Sequence, residues 1–109
     1  MSVADAFKRL KKAVKPTKDY FECPEEERWQ RLLEHAVEVY AANQQALSCL
    51  VANKAPANWA GRIKYLMDHP WPKAALIRVR YAEFLNKDLV AKMVVEANAK
   101  HAKQNPKDD

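Results

Sequence analysis

The sequence predicts an all-α bundle of four to five helices around one long central helix, and three observations carry that expectation. Strand formers are scarce: the 109 residues hold two isoleucines and one threonine, and the nine valines fall mostly at helical spacing. Prolines at 16, 24, 56, 70, 72 and 106 cut the chain into helix-sized pieces. Within those pieces, apolar residues recur at steps of three and four, the spacing of one helix face. One domain is expected at this length, over residues 1–103, with a flexible polar tail at 104–109.

The first helix runs from Ser2 to about Lys15. Ser2 is a plausible N-cap with Asp5 three residues on, close to a capping box. Val3, Phe7, Leu10 and Val14 share one face, the basic residues Lys8, Arg9, Lys11, Lys12 and Lys15 lie mainly off it, and Pro16 stops the helix. In the connector from Thr17 to Cys23, the adjacent Tyr20 and Phe21 predict a linker that packs down.

Pro24 to Ala52 is the central helix. Pro24 suits its first position, and Glu25, Glu26 and Glu27 complement the positive end of its dipole. Trp29, Leu33, Ala36, Tyr40, Asn43, Leu47 and Leu50 form a heptad seam, widened by Leu32, Val39, Val37 and Val51. Small residues on the far side, from Ala41 to Ala52, predict that the C-terminal half is enclosed on most sides. Asn43 on the seam is the kind of polar residue that fixes register or oligomer state, so a homodimer is one expectation.

A third helix starts near Pro56 to Asn58 and ends before Pro70, with Trp59, Ile63, Leu66 and Met67 inward and Arg62 and Lys64 outward. His69-Pro70-Trp71-Pro72 is read as a stiff extended turn, with Pro72 opening the next helix. The region from Lys73 to about Lys103 reads as two helices broken near Asn86 to Asp88. Ile77, Tyr81, Phe84 and Leu85 are expected on the buried face of the first, and Val90, Met93, Val94 and Ala97 on that of the second.

Composition excludes several function classes. A single glycine, Gly61, leaves nothing from which to build a phosphate-cradling loop. No uncharged apolar run reaches about 18 residues, so no membrane insertion is expected. The basic N-terminus lacks the apolar core of a signal peptide, which predicts a cytosolic protein. Cys23 and Cys49 belong to no Cys-x-x-Cys motif, arguing against a zinc ribbon or disulfide scaffold. His35 and Glu38 have metal-ligand spacing, but no Glu-x-x-His motif accompanies them. His35 and Cys49 lie about 21 Å apart along one helix, too far for a nucleophile and its base. No metal, no cofactor and no catalysis are expected.

Charge is uneven. Residues 1–23 carry net +3, 24–55 net −2, 56–86 net +3 and the remainder net +1. The leading expectation is a small regulatory or adaptor protein that binds another protein through Trp71, Tyr65, Arg62, Arg78 and Arg80. Tryptophan and arginine dominate interface hot spots, and a stiff proline-flanked Trp71 docks at low entropic cost. Arg80, beside Ile77 and Phe84, is expected to reach Glu38 or a partner's carboxylate or phosphate. The alternative is a nucleic-acid-binding protein that places Lys8, Arg9, Lys11, Lys12, Arg62, Lys64 and Lys73 on phosphates.

Overall fold

The computed structural model describes residues 2–15 and 22–104, which form five α-helices and no strand. They are α1 (Val3–Ala13), α2 (Glu25–Ala52), α3 (Ala57–Met67), α4 (Pro70–Leu85) and α5 (Lys87–Gln104). The all-α bundle around a long central helix is therefore the architecture. Tyr20 and Phe21 lie outside the described residues, as do the last five residues of the chain.

Local chemistry sets the helix ends. The Ser2 hydroxyl oxygen accepts from the Asp5 backbone N–H at 3.2 Å, and the hydroxyl donates to the Asp5 carboxylate at 2.8 Å. At the end of α2 the Ala55 N–H bonds the Leu50 carbonyl and the Lys54 N–H the Val51 carbonyl. That pattern needs one left-handed residue, and Lys54 supplies it at φ 47°. Asn86 separates α4 from α5 with non-helical backbone (φ −159°, ψ 89°), and its Oδ1 accepts from the Leu89 N–H at 3.1 Å.

The segment from His69 to Pro72 is not an extended turn. His69 is the N-cap of α4, and Pro70 and Pro72 both lie in its first turn. First-turn N–H groups have no partner within the helix, so two prolines there cost no hydrogen bond. Trp71 is thereby held on the rigid start of a helix.

Helices α1 and α4 pack most extensively on α2, with α5 and α3 completing the shell; the backbones of α1 and α5 stay apart, and the Arg9 side chain bridges them to Asn98. The core takes Ala6 and Leu10 from α1, Leu33 to Ala46 from α2, Ile63 from α3, Ala75 and Val79 from α4, and Val90 from α5. Buried residues of α2 between Leu33 and Ala46 point in nearly every direction around its axis, so its middle is enclosed. The ends of the expected seam are not, since Trp29 and Leu47 are exposed. Many of the buried positions are alanine, which lets helix backbones approach closely. On α3 and α5 the expected apolar faces are the buried ones. None of these helices is long and apolar enough to cross a membrane.

Candidate functional site

Helix α4 has two apolar faces, and the bundle buries the one made of small residues. Pro72, Ala75, Val79 and Ala82 are buried. The bulky face, expected inside, points out: Ile77 is 68% exposed, Tyr81 55%, Phe84 86% and Leu85 62%. The reason is the partner helix. α4 packs extensively on α2, whose buried residues apart from Leu33 are all alanine or valine, and backbones that approach closely can be separated only by small side chains. Ile77, Tyr81 and Phe84 recur at steps of four and three, so they line up as a ridge about 10 Å long. Lys73 and Arg80, both exposed, border it at the positions four before and three after Ile77. Exposed apolar side chains gathered on one face, with a charged border, are the usual mark of an interaction surface.

Of the five residues expected to contact a protein partner, the structure places two beside this ridge, Arg80 exposed on one border and Arg78 half-buried on the other. Arg80 does not reach Glu38, which pairs with Arg9 instead. Trp71 is half-buried against His35, with ring centroids 5.3 Å apart. Arg78 is half-buried on the flank of α4 opposite Lys73. On α3, Tyr65 is exposed with its ring edge-on to His69 at 5.0 Å, and Arg62 lies 4.7 Å over the Trp59 ring. That stacking places the Arg62 guanidinium on its own helix. The residues that sequence reasoning missed are Ile77, Tyr81, Phe84 and Leu85. The signal was present in the spacing, because Ala75, Val79 and Ala82 define a second stripe on the opposite side.

The residues assigned to nucleic acid divide in a similar way. Lys8, Lys11 and Lys12 are exposed on one outward face of α1, and Lys15, also exposed, lies just beyond the helix end. Arg9 does not belong with them. It is buried, its guanidinium pairs with Glu38, and it donates to Gln45 Oε1 and Asn98 Oδ1 at 2.9 Å each. Arg9 follows Ala6 by three and precedes Ala13 by four, which places it on the side of α1 that packs on α2. Lys64 is bound to Asp68 at 2.7 Å, and that bond holds the Asp68 carboxyl below its usual range. Lys73 sits on the border of the α4 ridge instead.

Between the separated backbones of α1 and α5, which the Arg9–Asn98 hydrogen bond spans, a cleft of about 900 Å3 opens over α2. Arg9 and Glu38 are in it, along with Lys8, Lys12, Lys92 and Lys100 on the walls and Asp5, Glu34 and Glu96 among them. Its charges largely offset one another. Burial holds the neighbouring His35 ring below the ordinary histidine range. The nearby Arg78 charge adds to this, while backbone groups of Ala13 and Lys15 and the Glu38 charge act against it. Among the described residues no group of three or more His, Cys, Asp or Glu side chains could hold a metal ion.

No protein-family model matches the chain, and no curated protein or solved structure matches it either.

Proposed function

We propose that this chain is a small, non-enzymatic protein-binding module of the cytosol, acting as an adaptor or regulator by docking through the outward ridge of α4. The observation behind this reading is that Ile77, Tyr81, Phe84 and Leu85 stand out from a helix whose other face is fully used by the core. Large apolar groups on a rigid helix lose little conformational entropy on binding and gain from leaving water. Arg80 adds the charged group that such interfaces favour at their anchors. Compared with the reading centred on Trp71, the contact moves by two to three helical turns along the same helix.

The test is comparative capture from a nuclease-treated lysate of the source cells at about 150 mM salt. Wild-type protein should retain partners that Phe84→Glu and Ile77→Glu lose, with both variants keeping the wild-type helical circular dichroism. Identical retention by all three would end the proposal.

The second reading, nucleic-acid binding, draws on the exposed Lys8, Lys11, Lys12 and Lys15. Under it, labelled RNA or DNA would bind with affinity falling steeply between about 50 and 200 mM salt, and Lys11→Glu/Lys12→Glu would abolish the binding.

A further inference from the structure

We infer that the occupant of the α4 ridge is a helical protein segment, apolar along one side and acidic on its flanks. This rests on the docking role proposed above and specifies the chemistry of the partner.

The ridge has the form of a helix-recognition element. Ile77, Tyr81 and Phe84 are anchors at i, i+4 and i+7, with Leu85 beside the last, and this spacing suits an apolar groove or helix stripe of about two turns. The charges that α4 itself places beside the ridge are basic, with the Asp68 carboxylate of the preceding turn close enough to Lys73 to feel its charge. Lys73 and Arg80 are exposed along one side and Arg78 stands on the other. The single carboxylate of α4, Glu83, is half-buried away from the ridge, and the first turn of the helix has no acidic residue. A partner that covers the apolar groups must therefore face cations on its rim, and carboxylates meet them best.

A second copy of the chain fits less well. Paired with itself about a twofold axis, the ridge would set the Lys73–Arg80 border against its own copy or against Arg78, and like charges meet either way. A lipid surface fits less well too, because four apolar side chains on a helix fixed in a bundle give shallow anchorage.

The probe is a fluorescein-labelled synthetic helix of about 18 residues, with leucine along one face and glutamate elsewhere, paired with a twin carrying lysine for glutamate. Anisotropy should show the acidic peptide binding wild-type protein at least about tenfold more tightly than its basic twin. Phe84→Glu should remove this binding. Lys73→Glu/Arg80→Glu should reverse the preference, giving at least about fivefold tighter binding of the basic peptide. A reversal cannot come from partial unfolding.

Equal binding of the two peptides, or none of either, overturns the inference. The docking role itself fails only if lysate capture does not distinguish wild type from Phe84→Glu. Sedimentation showing a dimer that Phe84→Glu dissociates would give the ridge to a second copy and overturn the inference. So would Phe84-dependent binding to phosphatidylcholine vesicles with about one-fifth phosphatidylserine in the absence of peptide binding.

Discussion

At the scale of single residues, Arg9 shows how one charge can organise a core. Its side chain is 2% exposed, while that of its partner Glu38 is 35% exposed. The two are therefore not equivalent to remove. Without Arg9, Glu38 turns to water; without Glu38, a guanidinium is left buried with only the amide oxygens of Gln45 and Asn98. We expect Glu38→Ala to cost about 3–4 kcal/mol of unfolding free energy and Arg9→Met about 2 kcal/mol, both read from urea denaturation. The reverse order would show that the polar contact to α5 matters more than the charge pair. His35 adds a pH dependence with a fixed sign. Its ring is held below the ordinary value by burial, so between that value and the folded one the unfolded chain binds more protons. Stability should be fully present above about pH 6.5 and decline as the pH falls towards 5, and His35→Gln should flatten the decline. The shifted carboxylate Asp68 titrates at lower pH and leaves this window to His35.

At the scale of elements, periodicity and punctuation located the helices, because proline, asparagine and serine act on the backbone within a turn of where they stand. The capped start at Ser2, the break at Asn86, and the inward faces of α3 and α5 were all legible that way. Which face of α4 lies inward was not, because that depends on what α2 offers to pack against. Hydrophobicity favoured the Ile77 side; close packing against the alanines of α2 favoured the Ala75–Val79 side and prevailed. Arg9 was expected among the outward, phosphate-contacting cations for a related reason: its burial depends on Glu38 and Gln45, seven residues apart on one side of another helix. The competition on α4 gives a direct measurement. Val79 is fully buried, so Val79→Ala should cost about 2 kcal/mol from lost burial and the cavity left behind. Ile77→Ala removes more hydrocarbon yet should change stability by less than about 0.5 kcal/mol, since its side chain already stands in water. A larger loss at Ile77 than at Val79 would restore the sequence-based orientation and remove the ridge.

At the scale of the whole molecule, charge divides between folding and docking, and salt can tell the two apart. The two exposed pairs, Glu27–Arg31 at 3.6 Å and Lys64–Asp68 at 2.7 Å, join residues one turn apart on the surface. Exposed pairs of this kind contribute little to stability and weaken with added salt. Opposing that loss, salt also relieves the self-repulsion of a chain with net charge +5. The Arg9–Glu38 pair, with its guanidinium inside the bundle, is screened much less. Folding should thus respond weakly: raising sodium chloride from about 50 to 500 mM should move the thermal midpoint by less than about 4 °C. Docking should respond more strongly, because Lys73 and Arg80 border the ridge as exposed side chains and act on an approaching acidic partner through solvent. Over the same range, binding of the acidic helix should weaken severalfold while the protein stays folded, and Lys11→Glu/Lys12→Glu on α1 should leave that binding unchanged. If the thermal midpoint and the affinity fell together, the surface charges would be holding the bundle rather than recruiting a partner.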